Sequence, residues 1–263
     1  MPVLYLRASE GLRVRLDGPS LVVQQPESAL RRFPLHMLSR IVVRGCVELP
    51  ASVLRACGQT GVPVGIYDAQ GDPVAFVLPW RYRGKRGAAL LLEDFLARPD
   101  WKDRFDTWHK NQERVAIGAA LQQCKIERCP LIPAAARTLL YACVERRMGA
   151  SASTVLRFFS AQTTTVCAEA LNQSGYSAEQ LETFHLKLPL VRLVSGILAW
   201  RHYVDWSGHA PFFEPPAAEM ISDRVLTECW ERVRVREERR ARRLVEKLQI
   251  FIGDLEWTPH PLG

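Results

Sequence analysis

Leu12-Arg13-Val14-Arg15-Leu16-Asp17-Gly18-Pro19-Ser20-Leu21-Val22-Val23 has the pattern of two strands joined by a tight turn. Leu12, Val14 and Leu16 alternate with Arg13 and Arg15, the period of a strand with one face in a core. Asp17-Gly18 is a strong turn signal, because glycine tolerates the positive φ that a tight reversal needs, and the β-branched run Leu21-Val22-Val23 reads as the next strand. Working outward, Val3-Leu4-Tyr5-Leu6 is a strand set off by Ser9-Glu10-Gly11, and Arg40-Ile41-Val42-Val43-Arg44 is another, closed by Gly45. Ala51–Thr60 carries Val53, Leu54 and Cys57 at helical spacing and stops at Gly61. Val62–Tyr67 and Val74–Leu78 read as strands either side of a turn at Asp68–Asp72. Residues 1–80 therefore make a compact β domain with one helix.

After a linker over residues 81–90 the period changes. Leu91, Leu92, Phe95 and Leu96 form a helical stripe ended by Arg98-Pro99, and Asp100 is placed to cap a helix from Trp101 to about Lys125. In that helix Trp101, Phe105 and Trp108 read as core. Pro130 and Pro133 break the chain before a helix over Ala134–Arg147, and Gly149 interrupts before one that starts at Ser151 or Ser153 and runs to about Gln173. Ala178–Tyr203 is helical, with Pro189 as a kink or a new start, and Ala217–Ile252 is a long helix behind a proline-rich loop. The fold class is α+β: a small N-terminal β-rich domain, then a larger all-α domain over residues 91–263.

At 263 residues the chain has room for one large core or two modest ones. With 48% hydrophobic and 24% charged residues it reads as an ordinary globular protein. No run approaches the roughly 20 apolar residues of a membrane span, and the N-terminus lacks the pattern of a secretory signal, so the expected location is the cytoplasm. Seven scattered cysteines with no CxxC pair point to reduced thiols rather than a zinc site. The net charge of +7 favours a polyanion, nucleic acid before membrane. The charge is concentrated: eight basic residues stand against four glutamates between Glu231 and Lys247. Arg232, Arg236, Arg239, Arg240 and Arg243 in that stretch, and Arg81, Arg83, Lys85 and Arg86 beside Trp80 and Tyr82, are the candidate contacts to DNA phosphates.

The ordered set over residues 3–78 resembles the CRISPR adaptation integrases, the "Cas one" family. Leu4-Tyr5-Leu6 with Leu12–Gly18 and Leu21–Val23 is similar to that family's opening hairpin. Pro34-Leu35 through Ile41–Leu49 resembles its next strand and turn, and Gly61-Val62-Pro63-Val64-Gly65-Ile66-Tyr67-Asp68 with Gly71 its strand-turn-strand signature. Lys110-Asn111-Gln112, and Phe251-Ile252-Gly253 with Trp257 and Pro259, resemble features of its helical domain. The resemblance implies an antiviral-defence protein whose dimers pair with a small ferredoxin-like companion. It also implies binding of double-stranded DNA (prespacer and CRISPR repeat) and insertion of spacers into the array. The chemistry implied is transesterification with Mg2+ or Mn2+ held by acids and a histidine.

The catalytic half departs from that pattern. The family's catalytic glutamate falls on Ser151 in one alignment, and in another lies upstream, where Glu145 is the nearby candidate. The histidine is His185 if the following acids fall on Ser195 and Leu198. It is His202 if Glu214-Pro215 leading to Asp223-Arg224 matches the family's Glu-Pro passage, with Pro211 then in place of the partnering acid. It is His209 if Glu219 and Asp223 share its site. The metal-binding and catalytic set carried forward is Glu145, His202 and Glu214. The alternative is a catalytically inactive relative acting as a DNA-binding or scaffold subunit of a defence complex; a nuclease that cleaves without joining is a third possibility.

Overall fold

The structure is a computed structural model that describes residues 3–26, 29–77, 86–176, 181, 188–210, 213–214, 216–217 and 221–253. Its strands are β1 (Val3–Arg7), β2 (Arg13–Asp17), β3 (Ser20–Gln24), β4 (Arg31–Pro34), β5 (Arg40–Arg44), β6 (Val64–Tyr67) and β7 (Pro73–Val77). The opening hairpin forms as read: β2 and β3 pair antiparallel with Asp17 opposite Ser20, and Gly18 turns the chain at φ 58°. β4 adds to β3 antiparallel. Its sequence, Arg31-Arg32-Phe33-Pro34, has no apolar alternation to announce a strand, because it is a sheet edge with both arginines exposed.

The second sheet has the order β1-β5-β6-β7, with β1, β5 and β6 parallel and β7 antiparallel. Its two faces pack against different partners. Leu4, Leu6, Ile41, Val43 and Val64 point into a core shared with Val14, Leu21 and Val23 of the hairpin and with Val53 and Cys57 of α1 (Ala51–Thr60). The alternate residues Tyr5, Val42 and Tyr67 lie on the opposite face, against Ala161 of the helical part. The period of two that makes a strand amphipathic thus makes this one two-sided.

α2 (Arg86–Leu96) begins inside the span expected to be linker, because Ala88, Leu92 and Phe95 are buried at helical spacing. α3 (Trp101–Gln123) starts after Asp100, but the expected side-chain cap is absent: the Asp100 carboxylate accepts from Arg104 Nε at 2.5 Å instead. In α3 Phe105 is buried, and half-buried Trp108 stacks on Phe251 with ring centroids 5.4 Å apart. α4 (Pro133–Met148) and α5 (Ala152–Gln173) follow, with a short 3-10 turn between them. α6 (Leu190–Ser207) takes Pro189 as its N-cap, so that proline starts a helix rather than kinking one. α7 is the long helix, Asp223–Gly253, and begins six positions later than its sequence suggests. Trp257 and Pro259 of the tail lie outside the described residues. α5 lies at the centre, packed on α6 and α7, and contributes more buried residues than any other described element. Around Phe159 of α5 stand His202, Trp206 and Trp230, their ring centroids 5.0 to 5.5 Å away and set edge-on. All seven cysteines are free, four of them buried, as scattered thiols should be.

The β domain docks on this bundle through charge as well as apolar contact. Arg40, Val42 and Arg44 share one face of β5, and Arg40 is only 1% exposed. Its Nη2 donates to Glu238 of α7 at 3.0 Å, and its Nε lies 3.7 Å from Glu169 of α5. Tyr5 donates to Glu231 at 2.9 Å, and Arg44 pairs with Asp223 at 3.0 Å, with Arg7 on the other carboxylate oxygen. Asp223, Glu231 and Glu238 lie about two turns apart each, so one face of α7 meets the sheet. Gly65 lets β6 approach α5: a Cβ there would stand 3.2 Å from Thr165 Oγ1 and 3.0 Å from the Tyr67 ring. Tyr67 donates to the Ala161 carbonyl at 3.0 Å across the same contact.

Candidate functional site

His202 is the one member of the expected metal set that lies deep in the protein. It projects from α6 toward α5, 1% exposed, and its Nε2 meets the Thr163 hydroxyl at 2.7 Å. Burial drops its pKa to about 4, so the ring is neutral at ordinary pH. Nδ1 has no hydrogen-bond partner among the described residues. One helical turn on, Asp205 is fully buried.

Arginines surround Asp205. Nη2 of Arg236 donates to both its oxygens at 3.0 Å, and Arg201 Nε lies 3.3 Å from one of them. The neighbouring Glu237, also fully buried, takes Arg240 Nη1 at 2.6 Å and has Arg236 Nε at 3.5 Å. The cluster therefore sets three guanidinium groups against two carboxylates beside a neutral imidazole. Burial lifts the Asp205 carboxyl above its ordinary range, partly offset by Arg236.

The other two expected ligands are elsewhere. Glu145 is exposed near the end of α4, and Glu214 is exposed in the loop before α7. Among the described residues no group of three or more histidine, cysteine, aspartate or glutamate side chains could hold a metal ion. Glu145, His202 and Glu214 are thus not brought together. The donor chemistry around His202 does not fit Mg2+ or Mn2+ either. Such ions need several oxygen ligands converging on one point, and here the carboxylates are already neutralised by fixed positive charge. Of the other candidates, His185, Glu219 and Pro211 lie outside the described residues. His209 is exposed with Nδ1 3.2 Å from Ser207 Oγ, Asp223 is paired with the β domain, Ser195 is buried, and Ser151 and Leu198 are half-buried.

The expected DNA contacts divide in a way the sequence does not show. Arg81, Arg83 and Lys85 lie outside the described residues, and Arg86 opens α2. On α7, Arg236 and Arg240, expected among the contacts to DNA phosphates, pair with the buried carboxylates of Asp205 and Glu237. Arg232, Arg239 and Arg243 are exposed. Their spacing of seven and four residues puts them on one stripe of the helix, the geometry for following a line of phosphates. The missed residues, Asp205, Arg201 and Thr163, carry no motif; the signal available was an aspartate one turn beyond His202, in a helix with no other carboxylate.

The family model described as CRISPR associated protein Cas1 matches residues 4–106. No curated protein sequence matches the chain. Among solved structures, a Cas1 protein from Thermotoga maritima is similar at a TM-score of 0.73 and 13% identity, over 99% of each chain. A casposase bound to its integration product is similar at 0.61 and 13% identity, over 98% of this chain and 92% of that one. A Cas1–DNA complex gives 0.55 and 13% identity, over 99% of this chain and 95% of the other. No helix among the described residues is long and apolar enough to cross a membrane. The chain thus matches the Cas1 family model across the β domain and the first helices, and shares the fold of these Cas1 structures over nearly its whole length.

Proposed function

We propose that this chain serves CRISPR adaptation as a DNA-binding subunit, holding duplex DNA by its phosphate backbone rather than joining strands through Glu145, His202 and Glu214. The observation that carries the reading is the guanidinium cluster on Asp205 and Glu237, which supplies positive charge where a catalytic metal would need free carboxylates. The exposed stripe of Arg232, Arg239 and Arg243 supplies the outward charge for DNA. Contacts of this kind are insensitive to sequence and weaken steeply with salt, because each neutralised phosphate releases condensed counterions. The similar Cas1–DNA complex and the casposase bound to its integration product support a role on DNA. Work in such an assembly would involve a second copy of the chain, the small ferredoxin-like companion, and prespacer and repeat DNA.

The test is a plasmid-integration assay with labelled prespacer, with and without Mn2+, run beside duplex binding measured by fluorescence anisotropy. Salt-dependent binding without nicked or joined plasmid is the expected result. Mn2+-dependent joining that disappears in Glu145→Gln or Glu214→Gln, with DNA binding retained, would overturn it.

A further inference from the structure

A second polar cleft, separate from the arginine stripe, lies where β7, α5 and α6 meet. It is lined by Asp72, Arg157, Ser160, Thr164, Arg192 and Ser195, with Gly196 on its wall, and has a volume of about 310 Å³. We propose that this cleft takes a backbone phosphate of bound DNA, an inference that rests on the DNA-binding reading above.

Three observations support it. Arg157 and Arg192 both line one concavity, and an arginine side chain is suited to phosphate because its fork of donors matches two oxygens at once. Asp72 stands 4.0 Å from Arg157 Nε, with both side chains well exposed, a loose pair that leaves the arginine free to turn to a stronger acceptor. Two arginines against that single carboxylate leave one net positive charge, matching the one negative charge of a phosphodiester.

The second observation is the cleft wall. Gly196 lies inside α6, where glycine costs roughly 1 kcal/mol relative to alanine. A Cβ built on it meets nothing within 4 Å, so no neighbour in this chain demands the glycine. Its effect is to keep the cleft open along one side.

The third is the fixed polarity of the walls. Thr164 Oγ1 donates to the Ser160 carbonyl at 2.9 Å, and Ser195 Oγ donates to the Arg192 carbonyl at 3.2 Å. The hydroxyl protons are thereby taken up within their own helices, so donation to a phosphate falls to the arginines. Arg192 lies in the first turn of α6, where the helix dipole adds positive potential.

The test uses the full chain and a mixed-sequence duplex, with anisotropy titrations across a series of KCl concentrations. The variants are Arg157→Ala with Arg192→Ala, and Gly196→Glu, which sets a carboxylate in the cleft without entering the core; thermal melts check that each is folded. Both are expected to weaken binding to any duplex sequence, and the arginine variant to lower the slope of log K against log salt by about 1. Wild-type affinity and slope in both variants would overturn the cleft and leave the DNA-binding reading standing. No binding by the wild type would overturn both. If the double variant does not fold, Gly196→Glu decides the outcome by itself.

Discussion

Nη2 of Arg236 donates to both oxygens of Asp205 at 3.0 Å, and so joins the middle of the longest helix to the fully buried end of α6. Removing one partner of a buried pair strands the other charge, at a cost of about 3–5 kcal/mol. Asp205→Ala is therefore expected to lower unfolding free energy by about that amount, since it leaves Arg201 without its acid and Arg236 with only the longer contact to Glu237. Urea denaturation followed by circular dichroism reads this directly. A loss below about 1 kcal/mol would mean that the cluster relaxes to water instead of standing as a fixed unit.

His202 makes stability depend on pH. The folded chain keeps the ring neutral down to about pH 4, whereas an unfolded chain protonates it near about 6.5. A depressed pKa of this kind gives full stability above the unfolded value, lost as the pH falls toward the folded one. The loss attributable to His202 between those two values is about 3 kcal/mol. Asp205, fully buried, and Glu169, half-buried, act with the opposite sign, because desolvation raises their pKa values. The measurement is the difference between wild type and His202→Gln in urea titrations from neutral to acid pH. If the two curves run parallel, His202 is not held neutral.

Phe159 touches three other rings edge-on and is 0% exposed. Phe159→Ala is expected to cost about 3–5 kcal/mol, from the burial it forfeits plus the cavity left among rigid rings. The midpoint of thermal unfolding should fall accordingly. The bundle is the part at risk, and the separate core of the β domain should keep its own protection in hydrogen exchange.

The arginines of α7 should separate into two classes. Arg232→Ala, Arg239→Ala and Arg243→Ala are expected to leave stability within about 0.5 kcal/mol and to lower the salt slope of DNA binding by about 1 for each phosphate that is no longer neutralised. Arg236→Ala and Arg240→Ala should instead destabilise the fold, because each leaves a buried carboxylate short of a partner. Binding and melting measured on the same five variants give the comparison. Identical behaviour across all five would contradict the inward and outward assignment.

The local elements are legible in the chain alone. Asp17-Gly18 specifies the first hairpin because a tight turn selects its own residues, and the Val53, Leu54 and Cys57 spacing with Gly61 specifies α1. An ordered series of strands over residues 3–78 carries the resemblance to the Cas1 family as well. Tertiary packing alone sets β1 beside β5 and β5 beside β6 in parallel, since those partners are far apart in the chain and nothing local encodes their meeting. Arg40 illustrates the limit: in sequence it is the charged start of an apolar strand, and in the fold it is buried between Glu169 and Glu238. The same holds for the long helix. Its arginines are alike in sequence, and their roles diverge because a charge takes its meaning from what stands opposite it. For Arg236 and Arg240 that is a buried carboxylate contributed by the packing of α6 and by α7 itself, and for Arg232, Arg239 and Arg243 it is solvent.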